Sequence, residues 1–106
     1  MEGLAETHAL KDLLRVLAAL SEENRFRIVE LLSADGAELS CGAIGTPLGL
    51  SPSLVSHHLS ILESAGIIER RKNGLWTMNR LRRDKLTAHL EGVLRMVAAP
   101  SDAAEA

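Results

Sequence analysis

The first third of the chain carries two series of apolar residues at helical spacing. Leucines separated by three or four residues predict a first helix over 6–19. Ser21 precedes two glutamates and has the character of an N-cap, because a hydroxyl satisfies free N–H groups and acidic residues favour a first turn. The apolar positions that follow predict a second helix ending near Ser33, and Asp35-Gly36 predicts a turn.

The middle of the chain is interrupted by glycines and prolines. Only a short third helix, over 41–46, fits between them. Ser51 and Pro52 predict the start of a fourth helix, because a hydroxyl cap followed by proline at the first helical position is a strong start signal. Its apolar residues continue to Ala65, and Gly66 predicts its end.

The last third combines strand-like and helical patterns. Two strand-like segments, over 67–72 and 75–80, flank Asn73-Gly74. Asn-Gly is the preferred two-residue hairpin turn, because both central residues of that turn need positive φ. Apolar residues at helical spacing from Asp84 onward predict a fifth helix. The order helix–helix–helix–helix–hairpin–helix predicts a mainly α, α+β fold, the winged helix-turn-helix, with the hairpin as the wing.

Composition indicates one small domain. The chain has 106 residues, 46% of them hydrophobic, which predicts one compact domain over 1–99 and a flexible tail over 100–106. No apolar run approaches the roughly 20 residues of a membrane span, no signal peptide is visible, and Cys41 is the one cysteine. We expect a cytoplasmic protein with no disulfide of its own and no membrane partner. No enzyme is expected, because the sequence shows no nucleophile–base pair or metal cluster.

Charge is unevenly distributed although the net charge is only −2. Residues 39–62 contain no Asp, Glu, Lys or Arg, whereas residues 69–85 contain seven bases and two acids, a local net charge of +5. A helix that enters the major groove tolerates no carboxylate, because the DNA phosphates repel it, and a basic wing attracts those phosphates. The charge pattern therefore predicts contact with double-stranded DNA. A solvated basic hairpin without a partner is the alternative. The candidate DNA-contacting residues are Ser51, Ser53, Ser56, His57, His58, Arg70, Arg71, Lys72 and Asn73.

Five segments of the chain resemble the ArsR/SmtB family of small, dimeric, winged-helix repressors. They lie between residues 17 and 81, and the most specific is a Ser-x-His-Leu run followed by Leu-x-x-Ala-Gly; the segments are 20–28, 38–41, 50–59, 62–68 and 74–76. The resemblance implies a homodimer, formed by the first and last helices, that binds a palindromic operator until an inducer releases it. The apolar residues expected at that interface, which exceed what one small core needs, are Leu10, Leu13, Leu14, Leu17, Leu90, Val93, Leu94 and Val97.

Both metal sites common in this family are altered. Where the family has two cysteines in the third helix, this chain has Ser40 and Gly42, with Cys41 between them. The Asp, His, His and Glu ligands of the last helix are replaced by Arg83, Lys85, Met96 and Ala99. None of these is a good ligand for zinc or a similar ion. We therefore do not expect arsenite or cadmium to be the inducer.

The sequence leaves several candidates for the signal that this protein senses. His8 and His89, assisted by Asp84 or Glu6, are the remaining candidates for a nickel or zinc site between the first and last helices, because imidazole suits both ions. Two half-exposed surface histidines are the alternative reading. Oxidation of Cys41, which is otherwise a small buried thiol, a small organic effector and a co-sensor partner protein are the other candidate signals. A winged-helix protein-interaction module is the rival class to a DNA-binding regulator.

Overall fold

The computed structural model describes the backbone of residues 2–34 and 38–99, with side chains from residue 9 onward. The elements, in chain order, are α1 (Glu2–Leu20), α2 (Glu23–Ser33), β1 (Leu39–Ser40), α3 (Cys41–Leu48), α4 (Pro52–Ser64), β2 (Ile68–Asn73), β3 (Trp76–Leu81) and α5 (Arg83–Ala98). This order confirms the predicted winged helix-turn-helix, in which α3 and α4 form the helix-turn-helix and β2 and β3 form the wing. The predicted turn at 35–36 and tail over 100–106 lie outside the described residues. None of the helices in the described ranges is long and apolar enough to cross a bilayer.

The connection between α1 and α2 differs from the prediction. Because α1 continues through Leu20, Ser21 lies in the connection, where its hydroxyl donates to the Ala18 carbonyl at 2.7 Å. Glu22 caps α2 instead, and its carboxylate accepts a hydrogen bond from the Arg25 backbone N–H at 2.9 Å. That bond lowers the pKa of Glu22, because it favours the charged carboxylate. The prediction of Ser21 as the N-cap is therefore wrong.

The third helix packs closely against the fourth. It runs to Leu48, two residues beyond the predicted end, and it includes Pro47. Gly45 makes the close approach possible: a Cβ there would lie 2.9 Å from Val55 Cγ2 and 3.0 Å from the Leu50 carbonyl oxygen. The start and end predicted for α4 are confirmed, with Ser51 as its N-cap.

The wing belongs to a three-stranded antiparallel sheet of order β1-β3-β2. The sequence did not predict β1, because a two-residue strand is too short to show alternation. The hairpin turn also lies one residue later than predicted. Asn73 pairs with Trp76, which leaves Gly74-Leu75 as the two-residue turn, and Gly74 supplies the positive φ of +66°.

The core lies between the helices and the base of the sheet. Its buried apolar side chains are Val16, Ala19, Ile28, Val29, Leu32, Ile44, Val55, Leu59, Leu62, Ile67 and Ile68. At the base of the wing Ile68 is buried, whereas residues 71–76 are all exposed. The wing therefore projects from the core beyond its first few residues.

Candidate nucleic-acid interface

Helix α4 separates an apolar face from an uncharged polar face. The buried residues of the helix are Val55, His58, Leu59 and Leu62. The exposed residues Ser53, Ser56, His57 and Ser60 repeat at intervals of three and four, so they form one stripe on the opposite side. We call these four residues the α4 stripe. Hydroxyl and imidazole groups can donate to and accept from base edges and phosphates.

Ser51 lies at the N-terminal end of this stripe and acts first as a cap. Its hydroxyl oxygen accepts a hydrogen bond from the Leu54 backbone N–H at 3.3 Å and lies 3.4 Å from Ser53 Oγ. A capping hydroxyl keeps its own hydrogen as a donor. Its predicted contact with DNA is therefore compatible with its structural role.

His58 does not fit the prediction that it contacts DNA. Its side chain is buried on the core face of α4, with 7% of the residue exposed. Its Nδ1 lies 3.4 Å from Arg25 Nη1 and 3.8 Å from the Glu22 carboxylate. Arg25 is itself anchored, because its Nε donates to the Ala19 carbonyl at 2.7 Å. His58 therefore connects α4 to the α1–α2 junction, and only His57 of the pair faces solvent.

Arg70 is also placed differently from the prediction. Its Nε donates to Asn79 Oδ1 at 2.9 Å, and its Nη2 lies 3.8 Å from the sulfur of Cys41. Asn79 is fully buried and donates to the Leu39 carbonyl at 3.0 Å. The guanidinium thus joins β2 to β3, β1 and the start of α3. Arg70 supports the base of the wing instead of reaching outward to a phosphate.

Two acidic residues partly neutralise the remaining arginines of the wing. Arg71 makes a bidentate pair with Glu38, with donor–acceptor distances of 2.8 and 2.6 Å. The pairing lowers the pKa of Glu38 and raises that of Arg71, because each charge favours the other. Arg80 pairs with Glu69 at 2.5 Å. The basic surface of the free protein is therefore weaker than the local sequence charge indicates.

Among the described side chains of β2 and β3, Lys72 is the base that makes neither an ion pair nor a side-chain hydrogen bond. It is exposed and, with Thr77 and Arg71, lines a shallow depression that Glu63 of α4 borders. Asn73 is exposed at the end of β2. The wing and α4 therefore border one continuous surface, with Lys72 between them.

The outer helices leave apolar side chains in solvent. On α1, Leu10, Leu14 and Leu17 are exposed at intervals of four and three residues, and on α5 the same spacing is found for exposed Leu90, Leu94 and Val97. The other two residues predicted at the interface, Leu13 and Val93, are half-buried. The two helices also contact each other. Exposed apolar stripes of this size are typical of a protein interface.

Of the candidate metal ligands, the two whose side chains are described, Asp84 and His89, line different depressions. Asp84 lines a depression at the base of the wing, whereas His89 lines a separate one with Asp12, Arg15 and Lys85. Two cations beside His89 disfavour a metal ion electrostatically. Within the described side chains no group of three or more His, Cys, Asp or Glu residues could hold a metal. The side chains of His8 and Glu6 lie outside the described part.

Several residues of this surface were missed by sequence reasoning. Ser60 could have been found from its spacing of three and four residues to His57 and Ser56. Leu54, exposed at 48% on α4, resembles a core leucine in the sequence. The pairing of Glu38 with Arg71 spans 33 positions and has no local signal.

Comparison with known proteins identifies the family. A helix-turn-helix domain model matches residues 20–71. The chain is 36% identical over 97 residues to a Halobacterium salinarum protein provisionally named as the arsenical resistance operon repressor ArsR, covering 90% of this chain and 75% of the relative. An ArsR-like transcriptional regulator from Rhodococcus sp. RHA1 superposes with a TM-score of 0.74 at 29% identity, covering 84% of this chain and 82% of that one.

A second solved structure shows the same architecture. It is a homodimeric winged helix-turn-helix DNA-binding domain from Mycobacterium bovis, with a TM-score of 0.72 at 29% identity over 88% of this chain and 83% of that one. The order of the elements, the exposed α4 stripe and the wing agree with these similarities. This chain belongs to the ArsR/SmtB family of winged helix-turn-helix, DNA-binding transcriptional regulators.

Proposed function

We propose that this regulator is a repressor that binds a palindromic operator as a homodimer, with α4 in the major groove and the wing beside the neighbouring minor groove. The observation that supports this proposal is the uncharged α4 stripe next to a wing that carries Lys72 and Arg71. Hydroxyl and imidazole groups read base edges and contact phosphates, and the bases of the wing hold the DNA backbone. A regulator of this kind acts in the cytosol, where it reaches the chromosome.

The exposed apolar stripes of α1 and α5 support the homodimer. A two-fold interface buries the same surface on both copies, so stripes that are exposed in one chain become the core between two. The Mycobacterium bovis structure is described as homodimeric, which agrees with this arrangement. Two α4 helices related by the two-fold axis then read half-sites about one helical turn apart.

The inducer belongs to the same proposal. The chain has one cysteine, so a copy cannot assemble the set of thiolates that soft ions prefer. A nickel or zinc ion at the seam between α1 and α5 would need His8 or ligands from the second copy, because Asp84 and His89 line separate depressions. Oxidation of Cys41, a small organic effector and a co-sensor protein are the other candidate signals.

DNA binding is tested with duplexes from the promoter region of the protein's own gene. Fluorescence anisotropy compares the wild type with Ser56→Asp, which puts a carboxylate on the α4 stripe. Ala88→Asp is the matched control, because Ala88 is exposed on α5 beside Glu91. We expect Ser56→Asp to abolish operator binding and Ala88→Asp to keep it. Equal affinities for both variants would contradict the placement of α4 in the major groove.

The dimer is tested by sedimentation equilibrium. We expect twice the 11.4 kDa of one chain for the wild type at micromolar concentration. Leu94→Glu puts a charge on an exposed apolar stripe, so it should give a folded monomer. A monomeric wild type would refute the dimer.

A further inference from the structure

Two large apolar side chains lie at the tip of the wing, where they are exposed and do not belong to the core. Leu75 is fully exposed, at 101%, and Trp76 is 65% exposed. Leu75 is the second residue of the turn, and Trp76 is the first residue of β3. Turns of this kind favour small polar residues, so the apolar pair indicates a contact outside the chain.

The charges around the tip indicate what that contact is. Residues two apart on a strand and residues paired across an antiparallel sheet share a face, so Trp76 lies on the same face as Arg71. Lys72 lies on the opposite face. The two bases nearest the tip, Arg71 and Lys72, therefore lie on opposite faces of the hairpin. Once phosphate displaces Glu38 from Arg71, they complement two phosphate backbones with an apolar wall between them.

We propose that Leu75 and Trp76 form an apolar contact surface for the minor groove of DNA, with Leu75 as the inserted side chain. This inference rests on the proposed function and specifies how the wing contacts its ligand. Proteins that bind the minor groove insert leucine and similar side chains beside the bases, where the sugars supply an apolar wall. Lys72 then contacts the phosphate beside the groove.

The position of the wing agrees with this contact. Residues 71–76 are exposed beyond the core, and Lys72 shares a depression with Glu63 of α4. With α4 in the major groove, the exposed end of the wing is therefore available to the neighbouring groove.

Trp76 provides a direct readout, because the chain contains one tryptophan and no tyrosine. The probes are duplex poly(dA-dT), duplex poly(dG-dC) and phosphatidylglycerol vesicles, each added to the intact protein. We expect both duplexes to shift the Trp76 emission to shorter wavelength and to protect it from acrylamide, since binding removes the indole from water. The vesicles should leave the emission unchanged.

Substitutions at Leu75 distinguish the contribution of apolar insertion to DNA affinity from that of charged contacts. Leu75→Ala should weaken binding to both duplexes about tenfold while the slope of affinity against salt concentration stays unchanged, because no phosphate contact is lost. Leu75→Met, which keeps the volume, should bind like the wild type. Equal melting temperatures are expected for all three proteins, because Leu75 makes no contact in the fold.

The outcomes distinguish this inference from the proposed function. If the wild type binds duplex DNA while Trp76 emission is unmoved and Leu75→Ala binds equally well, the tip stays in solvent, and the inference fails although the proposed function stands. A shift with vesicles and none with DNA would make the tip a lipid contact and overturn the inference. If no duplex is bound at all, including promoter DNA, the proposed function and this inference both fail.

Discussion

Glu38 should restrain DNA binding, because it occupies the guanidinium that the wing offers to phosphate. Both oxygens of its carboxylate accept hydrogen bonds from Arg71 in the free protein. A DNA phosphate that binds Arg71 must either displace the Glu38 carboxylate or bind with that negative charge next to it. Glu38→Gln removes the charge and keeps an oxygen that accepts a hydrogen bond, so it weakens the competition with little change of shape.

The expected gain follows from the exposure of the pair. The Arg71 side chain is 57% exposed and that of Glu38 is 27% exposed, so solvent screens their attraction. We expect Glu38→Gln to bind duplex DNA up to about fivefold more tightly at low salt. The slope of log affinity against log salt should steepen by up to about 0.9, the contribution of one additional phosphate contact.

The assay is fluorescence anisotropy over a series of salt concentrations, with Glu23→Gln as the control. Glu23 also pairs with an arginine, Arg27 on α2, so the charge change is the same at a site away from the wing. A double-mutant cycle with Arg71→Ala gives the decisive comparison, because Glu38→Gln should have little effect once Arg71 is absent. Equal gains in both backgrounds, or no gain at all, would refute the competition between Glu38 and phosphate.

The pH dependence of this effect has a defined sign. The hydrogen bonds from Arg71 lower the pKa of Glu38 below its ordinary value of 4.5. The stabilising pair is therefore fully present above the ordinary pKa and is lost as the pH falls through the lowered pKa. The difference between wild type and Glu38→Gln should stay constant around neutral pH and disappear only in acid.

Three further predictions concern α3 and α4. His57→Ala should weaken DNA binding and leave the melting temperature unchanged, whereas His58→Ala should destabilise the fold by about 1–3 kcal/mol, because His58 is buried; equal effects in thermal denaturation would contradict this division. Gly45→Ala should destabilise by about 1–3 kcal/mol in urea denaturation, since its Cβ would meet Val55 at 2.9 Å. Cadmium and arsenite should not release the protein from DNA, because Cys41 is the one thiol per chain; release in a gel shift would contradict it.

The fold was predictable because its signals are local. The Ser51-Pro52 start of α4 depends on cap chemistry within one turn, and the structure confirms it. The turn of the wing was misplaced by one residue, because Gly74 supplies a positive φ at either position and the register is decided by the pairing of Asn73 with Trp76. Strand β1 was missed because it exists only through its pairing with β3.

The chemistry of the surface was less predictable, because it depends on contacts between distant residues. From the sequence, Arg70 and Arg71 are two free charges. In the structure, Arg70 donates a hydrogen bond to Asn79, and Arg71 pairs with Glu38. The adjacent histidines also could not be distinguished from the sequence. A helical pattern places His57 and His58 about 100° apart, and only the packing of α4 on the core decides which of them faces solvent.

Hydroxyl-radical footprinting on promoter DNA tests the central claim most directly, namely that two α4 helices of a homodimer read one operator with wings in the adjacent minor grooves. The account predicts two protected patches related by two-fold symmetry, with centres about one helical turn apart, and further protection of the flanking minor grooves. Leu75→Ala should lose the flanking protection and keep the two central patches. A single protected patch, or protection without two-fold symmetry, would contradict the account.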